Sequence, residues 1–477
     1  MSNLPQIIIE QIKVILVSKG QNITKYTFKN CKWSIIVKKN NCKVTICYDS
    51  FKISCITENC KKWRRYLCKK LKQFTKHKTH CDNITILPQE VEERWIVNLK
   101  NDRSIDDINC PDSICVMHTY NMLAGFSCTG TKSKINELLK MNPHIESYSK
   151  DDKAEITVIK DSLILLRATN INQTVGRFIT RMGVNHSSRK AGTKIPLVAL
   201  NPNIFVFVVD TGITSTHPEL NINTTFSKNF TSANPTDWTD YNGHGTHVSG
   251  IIGAIDNNIG IVGVAPGVNL VSIRVLDANG SGYYSQIIAA LDYILQWKIA
   301  NPTKKAIVNM SFGGPANNSF DNAVRRLING NVIVVVAAGN ESRNVNTTSP
   351  ARISEAITVG AYNPTNNILA SWSNFGSGVD ILAPGVSIDS TYLANGYAIL
   401  SGTSTASPMV VGAIACLMST NNSLNTPLNI RNAIVNDAKA INVINYDGTN
   451  NTNPNISLYT RARAARTTTR SVYAGKY

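Results

Sequence analysis

The segment IFVFVVDTGI at residues 204–213 carries the clearest signal of the fold class. Residues 204–209 are an unbroken apolar run rich in Val and Ile, which is typical of a strand buried on both faces of a parallel sheet. Asp210 follows at the carboxyl end of that strand, where open α/β sheets place their sites. A lone Asp before Thr211 and Gly212 would be interpreted as a turn residue. The stretch predicts an α/β fold, and further motifs decide what Asp210 does.

Two further motifs each set apart one reactive side chain. His244 lies between two glycines in NGHGTHVSGIIG (242–253), and glycines let backbone and substrate approach the imidazole closely. Ser404, in SGTSTASPM (401–409), precedes a long apolar stretch, so an ordinary helix N-cap is the alternative interpretation. An acid, a base and a nucleophile are the three parts of acyl-transfer catalysis. Together, Asp210, His244 and Ser404 predict a serine protease.

The motifs also predict a pair of donors for an oxyanion. A helix that starts at Ser404 would point its backbone N–H at a developing negative charge. Asn340 follows another buried strand in VVVAAGNES (334–342), and its amide is the predicted second donor. Removing a comparable Asn costs roughly 3–4 kcal/mol of transition-state stabilisation. His247, three residues after His244, is followed by no third metal ligand at helix spacing, so we expect a packed structural histidine.

These segments resemble the subtilase family, and its proteinase K-like branch most closely, over about residues 195–425. The order Asp, His, Ser is that of the subtilisin template. The resemblance implies a subtilisin-like three-layer fold with a mostly parallel sheet, in a catalytic domain at 196–458. It also implies that a peptide substrate binds along Gly280, Ser281, Gly282, Ser311, Phe312, Gly313, Gly339 and Ala351. The family usually has Met after the catalytic Ser; this chain has Thr405, from which we expect modest tuning.

The resemblance bears on specificity and on cofactors as well. Gly313, Gly339 and Ala351 predict an apolar or broad P1 preference, while Glu341 near the rim leaves a preference for basic residues open. Hydrolysis of protein or peptide substrates through a triad requires no cofactor. Structural calcium is frequent in the family, and the resemblance makes Asp380 a candidate ligand. A solvated or capping Asp is the alternative interpretation of Asp380.

A second resemblance lies ahead of the catalytic domain. Residues 95–156 combine strand patterns such as RWIVNL (94–99) with a helical stretch from Ser133 to Met141, in the order strand, helix, strand, helix, strand. This order resembles the subtilase inhibitor propeptide, a small ferredoxin-like α+β module. The resemblance implies a zymogen whose propeptide is its intramolecular inhibitor. A linker or processing region follows at 157–195, and we expect self-cleavage somewhere within 150–195.

Positive charge and cysteine are concentrated early in the chain. The net charge is +18, and residues 1–88 hold 18 Lys and Arg against 4 Asp and Glu. Ten of the 11 cysteines lie between Cys31 and Cys128. The odd number, together with the lack of a recognisable secretory signal peptide, favours a reducing compartment. No apolar run has the length of a transmembrane segment. We expect a protein that is cytoplasmic or packaged in a virion. The second alternative follows from the Asn-, Ile- and Lys-rich composition, which is typical of an AT-rich genome such as that of a large DNA virus.

The basic, Cys-rich region at 1–94 carries a separate hypothesis. Its segment KKWRRYLCKKLKQFTKHK (61–78) has nine Lys and Arg and no acid. A helix here would suit nucleic acid or another anionic partner, and a solvated face of its own domain is an equal alternative. The cysteines near His77 and His80 include no CxxC pair, so we expect ordinary thiols there. A basic tail is predicted at 459–477. The rival to a protease is a basic binding protein that uses the subtilase domain as a scaffold.

Overall fold

The computed structural model describes residues 92–100, 103–111, 114–159 and 200–437, and outside these ranges the backbone of seven short strands. The chain forms two compact units. The first comprises Met1–Glu92 with Thr131–Ser133, and the second comprises Glu93–Gly130 with Lys134–Tyr477. All of the predicted catalytic and substrate-binding residues therefore belong to the second unit.

The first unit contains an antiparallel sheet. Its strands are β1 Ile23–Lys29, β2 Lys32–Val37, β3 Cys42–Cys47 and β4 Ile53–Cys55. They pair in the order β1-β2-β3-β4. The side chains of the basic segment 61–78 and of the cysteines in residues 1–94 lie outside the described residues. The predictions of an anionic partner and of ordinary thiols therefore stay predictions.

An α+β module occupies residues 93–152. Its elements are β5 Glu93–Leu99, β6 Cys115–Tyr120, β7 Gly125–Gly130, helix α1 Lys132–Met141 and β8 Ile145–Lys150. The strands form an antiparallel sheet in the order β6-β7-β5-β8, which is the order of a ferredoxin-like module. Trp95 and Val97 of β5 pack with Phe126 of β7 and Leu138 of α1 in a core of their own. The module therefore has one helix packed on one face of its sheet.

The predicted first helix of this module is wrong. Among the described residues between β5 and β6, the only helical segment is a 3₁₀ turn at Ile105–Asp107. Ser104 caps this turn, and its carboxyl-terminal neighbour Ile108 is already extended, with φ −105° and ψ 121°. The turn buries none of its own residues, so within the described ranges it does not cover the sheet as a second helix would.

The remaining strands and helices belong mainly to the predicted catalytic domain. In chain order, the strands are β9 Lys153–Ile156, β10 Ile164–Leu166, β11 Ile204–Asp210, β12 Lys228–Asn229, β13 Asn269–Arg274, β14 Ser281–Tyr283, β15 Lys305–Met310, β16 Phe312–Pro315, β17 Ile333–Ala337, β18 Thr348–Ser349, β19 Ile357–Asn363, β20 Ile368–Leu369, β21 Ile381–Pro384, β22 Ile388–Thr391, β23 Tyr397–Leu400, β24 Lys439–Ala440 and β25 Arg470–Ser471. The helices are α2 His244–Gly253, α3 Tyr284–Ala300, α4 Asn318–Asn329, α5 Thr403–Thr420 and α6 Pro427–Asp437.

A large sheet organises this domain. Its strand order is β12-β13-β11-β15-β17-β19-β21-β25-β24, with β20 paired to β19. All neighbours from β12 to β25 are parallel, and only β24 and β20 pair antiparallel. Every residue of β11 is buried, as expected for a strand covered on both faces. The predicted mostly parallel sheet is confirmed.

Helices cover both faces of the sheet. Val206 and Val208 of β11 face a core built with α2 and α5, whereas Phe205, Phe207 and Val209 face a core built with α3 and α4. This division follows from the alternation of side chains along a strand. It gives the predicted three-layer α/β architecture. Helix α5 is long and apolar enough to cross a membrane, but 89% of that stretch is buried inside the protein, so it is a core helix.

Candidate active site

Asp210 and His244 form a buried hydrogen-bonded pair. Asp210 is the last residue of β11, and His244 is the first residue of α2. His244 Nδ1 lies 2.7 Å from Asp210 Oδ1, and the backbone N–H of Thr211 donates to the same oxygen at 2.7 Å. Both side chains are at most 2% exposed. With Nδ1–H directed at the carboxylate, Nε2 is the nitrogen available as a general base.

A second carboxylate, Asp240, fixes the turn that carries His244. Its Oδ1 accepts hydrogen bonds from Thr211 Oγ1 at 2.9 Å and from the Gly243 N–H at 2.8 Å. Its Oδ2 accepts from the backbone N–H and Oγ1 of Thr246, at 2.9 and 2.7 Å. Asp240 thereby ties the turn after Asp210 to the start of α2. The role of Asp240 could not be predicted from the sequence, because it depends on distant partners and no local motif marks it.

Ser404 lies in the first turn of α5. Its backbone carbonyl accepts a hydrogen bond from Ser311 Oγ at 2.9 Å, and Asn309 Nδ2 donates to that same Oγ at 2.8 Å. Thr405, where the family usually has Met, is buried and donates from Oγ1 to the Gly402 carbonyl at 2.8 Å. The Thr405 side chain is thus hydrogen-bonded within its own turn. Its modest effect on activity stays a prediction.

The predicted oxyanion donors lie on either side of Gly402. Asn340 Oδ1 accepts from the Thr403 N–H at 2.9 Å and from Thr403 Oγ1 at 2.8 Å, which turns Asn340 Nδ2 the other way. The Ser404 N–H donates to the carbonyl oxygen of Thr157 at 3.3 Å. A Cβ on Gly402 would lie 2.3 Å from this carbonyl oxygen, 2.9 Å from Ser404 Oγ and 3.2 Å from Asn340 Nδ2. The Thr157 carbonyl oxygen, Ser404 Oγ and Asn340 Nδ2 therefore all border the space beside Gly402.

Three side-chain atoms of the predicted catalytic residues are buried without hydrogen-bond partners in the described part of the chain. They are His244 Nε2, Ser404 Oγ and Asn340 Nδ2, all of them buried, and within the described part of the chain none has a partner at hydrogen-bonding distance. Buried polar groups usually have partners, and the exceptions require an explanation such as a catalytic role. Proton transfer and oxyanion binding would supply the missing partners, because catalytic hydrogen bonds often tighten only in the transition state.

Strand β9, which we call the cleft strand, occupies the predicted substrate cleft. It lies between β14 and β16 and pairs antiparallel with both. The pairs are Ala154 with Gly282, Glu155 with Ser281 and Gly313, and Ile156 with Phe312. The Ile156 N–H donates to the Gly280 carbonyl at 3.0 Å, and the Thr157 N–H to the Ser311 carbonyl at 3.3 Å. The predicted substrate-binding residues 280–282 and 311–313 thus bind an extended peptide segment by strand addition.

Gly280 must be a glycine for this arrangement. Its φ is +76°, and a Cβ there would lie 2.8 Å from Ile156 Cδ1. Gly339 has φ +103° and leads the chain into Asn340, while its N–H donates to Thr403 Oγ1 at 3.0 Å. The structure therefore gives Gly339 a place in holding the oxyanion donor. Ala351 is buried beneath this region in a small apolar cluster, and its role as a wall of the P1 pocket stays a prediction.

His247 and Asp380 have structural partners. His247 Nε2 lies 3.1 Å from the carbonyl oxygens of both Ile388 and Ala398, and burial lowers the pKa of His247 to about 3, so the ring is neutral. Asp380 Oδ2 accepts from the Thr358 N–H at 3.0 Å, and its Oδ1 pairs with the guanidinium of Arg431. A cation at Asp380 would face that guanidinium, so these residues do not fit the calcium site suggested by the resemblance. Within the described ranges, no group of three or more His, Cys, Asp or Glu is arranged to hold a metal.

The fold and the site define a class: an α/β protein with a buried Asp–His pair at the carboxyl edge of a parallel sheet and a buried serine in the first turn of a core helix. The model of the subtilase family matches residues 201–460, which is more than half of the chain. Subtilisin NAT of Bacillus subtilis subsp. natto is 41% identical over 221 residues, covering 46% of this chain and 56% of the relative. The alkaline protease of Alkalihalobacillus alcalophilus is 31% identical over 382 residues, covering 77% of this chain and 91% of the relative.

A solved structure agrees with these relatives. The crystal structure of a cold adapted subtilisin-like serine proteinase matches with a TM-score of 0.50 and 30% identity, over 64% of this chain and 99% of that chain. This chain belongs to the subtilase family. Its match spans little more than half the length of Subtilisin NAT, at 56%.

Proposed function

We propose that this protein is a serine endopeptidase of the subtilase type. The observation that carries the proposal is the binding of one peptide carbonyl, that of Thr157, by the Ser404 N–H, with Ser404 Oγ and Asn340 Nδ2 beside it. The buried Asp210–His244 pair of the same unit supplies the base that this reaction requires. Subtilase membership supports the same reaction class. The segment that presents this carbonyl is bound as an extended strand, which is how a peptide substrate would bind.

Each residue has a defined part in the proposed reaction. His244 Nε2 takes the proton of Ser404 Oγ as that oxygen attacks the scissile carbonyl carbon. Asp210 holds the imidazole with Nδ1–H toward the carboxylate and stabilises the imidazolium. Asn340 Nδ2 and the Ser404 N–H donate to the oxygen that becomes negative, and the loss of one such donor costs about 3–4 kcal/mol.

The contacts of the α+β module support synthesis as an inhibited zymogen. Asp292 of α3 accepts from the backbone N–H groups of Asn121 and Met122 in the module, at 3.0 and 2.9 Å. Asn317 Nδ2 donates to the Lys150 carbonyl at 3.1 Å. These contacts anchor the module beside the cleft, and the cleft strand that follows it occupies the substrate position. A second peptide would have to displace this strand before it reached Ser404.

The surroundings of the P1 side chain support an apolar or broad preference. A Cβ on Gly313 would lie 3.8 Å from Thr157 Cγ2, so this glycine leaves room beside the P1 side chain. Glu341, which left a basic preference open, has its Oε2 bonded by Asn374 Nδ2 at 2.7 Å and 3.5 Å from Arg343 Nε. Its charge is already matched by Arg343, and it offers little to a basic P1 residue.

Labelling with a fluorophosphonate tests the proposal. Wild-type protein should lose activity on casein as one label attaches to Ser404, identified by peptide mass spectrometry. The Ser404→Ala variant should take up no label and hydrolyse no casein. Ser407→Ala is the matched control, because Ser407 lies one turn on in α5 and its Oγ bonds to Asn309 Oδ1 at 2.9 Å. Equal hydrolysis by wild type and Ser404→Ala would overturn the proposal.

A further inference from the structure

We propose that the first peptide bond this chain hydrolyses is its own Thr157–Val158 bond, which makes Val158 the amino terminus of the processed protease. The inference rests on the proposed endopeptidase function and deepens it, since it identifies the first substrate of the site. Three sets of contacts carry it: those before the bond, those at its carbonyl group and those after it.

Before the bond, the register of the cleft strand is fixed. Ala154 is fully buried against the catalytic domain, whereas the next residue, Glu155, is exposed. A slip of one residue would move every side chain to the opposite face, and it would bury the Glu155 carboxylate without a partner. Pairing with both β14 and β16 holds the strand in this register from both edges. The register leads the Thr157 carbonyl to Ser404.

At the bond, the carbonyl oxygen of Thr157 already accepts from the Ser404 N–H at 3.3 Å. The Thr157 side chain is buried, and its Oγ1 donates to the Ser311 carbonyl at 3.2 Å. This P1 residue is held by its N–H, its hydroxyl and its carbonyl oxygen at once. Such positioning of a reacting carbonyl beside a nucleophile is what raises the effective concentration of the two groups.

After the bond, the chain stays on the catalytic domain. The Ile159 N–H donates to the Ser401 carbonyl at 2.8 Å. Strand β10, Ile164–Leu166, then pairs antiparallel with β23, with Ile164 opposite Ile399 and Leu166 opposite Tyr397. The β23 strand leads directly into the turn that carries Ser404. The bond is therefore held by strand addition on its amino-terminal side and by a second strand edge on its carboxyl-terminal side.

The proposed step balances as an ordinary hydrolysis. Ser404 Oγ bonds to the Thr157 carbonyl carbon, and its proton passes to His244 Nε2. The Thr157–Val158 C–N bond breaks, and His244 delivers that proton to the departing Val158 nitrogen. A water molecule then hydrolyses the ester between Thr157 and Ser404, again with His244 as the base. The products are a carboxylate at Thr157 and an amine at Val158.

The test is a time course of intact mass on the full-length chain as it folds, beside full-length Ser404→Ala. The first two products should be residues 1–157 and 158–477, and the Ser404→Ala chain should stay whole. Reading the earliest products separates this cleavage from later trimming. First products that end at any other bond would overturn the inference, while the label on Ser404 and the casein activity would leave the proposed function standing. Loss of label, activity and cleavage together would overturn both.

A matched pair of variants sharpens the test. Val158→Pro fixes φ of the residue that supplies the leaving nitrogen and adds a ring to that nitrogen, which displaces the scissile bond. Formation of the 1–157 product should slow about 100-fold, the size of effect that a misplacement of about 1 Å has on reacting groups. Val158→Ala removes only methyl groups from a half-buried side chain and should form it at close to the wild-type rate. Unchanged cleavage of the Val158→Pro chain at its wild-type bond would contradict the assignment.

Discussion

Asp151 caps a helix of the catalytic domain by binding Ser285. Its Oδ1 accepts from the Ser285 backbone N–H at 2.8 Å, and its Oδ2 accepts from Ser285 Oγ at 2.6 Å. Arg94 joins them, donating to Asp151 Oδ2 at 2.8 Å and to Ser285 Oγ at 2.9 Å. The carboxylate thus lies at the positive end of α3, where a negative charge is stabilising. A residue just before the cleft strand is thereby used to dock the α+β module.

Replacing Asp151 should loosen this docking. In the full-length Ser404→Ala chain, Asp151→Ala removes the cap and leaves Arg94 without its carboxylate, so the contact should weaken by about 1–2 kcal/mol. Backbone amides of β5 and β7 should then exchange roughly 5–30 times faster with solvent deuterium. Asp152→Ala is the control, since it removes a charge from the adjacent residue without touching Ser285. Equal exchange in the two variants would show that the cap does not stabilise docking.

Asn340 offers a test of the oxyanion site. Asn340→Ala in the processed enzyme should lower kcat about 10²–10³-fold with little change in KM, because its Nδ2 acts only as charge develops on the substrate oxygen. Thr403→Val is the partner variant. It removes the Oγ1 that bonds Asn340 Oδ1 at 2.8 Å but keeps the donor itself, so a smaller loss of kcat is expected. Steady-state kinetics on a peptide with the sequence of residues 153–160 would compare them. A larger effect on KM than on kcat would argue against this assignment.

Asp240 should act as a positioning residue for His244. In the wild type, both carboxylate oxygens of Asp240 accept hydrogen bonds. Asp240→Asn replaces one of these oxygens with an NH₂ group, which then faces other donors. Disturbing a buried hydrogen-bond network in this way lowers the free energy of unfolding by about 1–3 kcal/mol. If the imidazole then loses its alignment with Asp210, the stabilisation of the imidazolium is reduced. The acidic limb of the pH profile of kcat/KM should move to lower pH, and kcat should fall. A variant that is less stable but keeps the wild-type pH profile would show a purely structural role.

Much of the fold and site could be predicted because local patterns carry it. The apolar run ending at Asp210 predicts a buried strand with a site at its end, and glycines around His244 mark a close approach of chains. The roles of Asp240 and Asp151 could not be predicted, because each depends on partners that folding brings together across the chain. The cleft strand could not be predicted either. Residues 153–156 gain their strand conformation by pairing with two strand edges of the catalytic domain, and four residues are too few to show a periodic pattern.

Because of the buried carboxyl group of Glu219, the free energy of unfolding should fall as pH rises. This carboxyl group is fully buried, accepts from the Ile261 N–H at 3.2 Å and bonds the Tyr397 hydroxyl. Burial raises the pKa of Glu219 to about 8, against an ordinary value of 4.5. Between these two values the folded chain holds a proton that the unfolded chain has released. The contribution of Glu219 to the free energy of unfolding should therefore be fully present below pH 4.5 and should decline toward pH 8, by at most about 1.4 kcal/mol per pH unit.

The variant Glu219→Gln isolates this contribution, because the amide is close in shape and does not titrate. Relative to the wild-type side chain, it should gain stability steadily as pH is raised from 5 to 8. The comparison uses urea unfolding of full-length Ser404→Ala chains in a chelator, so that neither self-cleavage nor a bound cation enters the difference. Glu137→Gln, at an exposed position of α1, is the matched control for the substitution itself. A stability difference between the chains with and without the Glu219→Gln substitution that stays constant from pH 5 to 8 would contradict this prediction, because it would mean that Glu219 is charged in the folded state throughout that range.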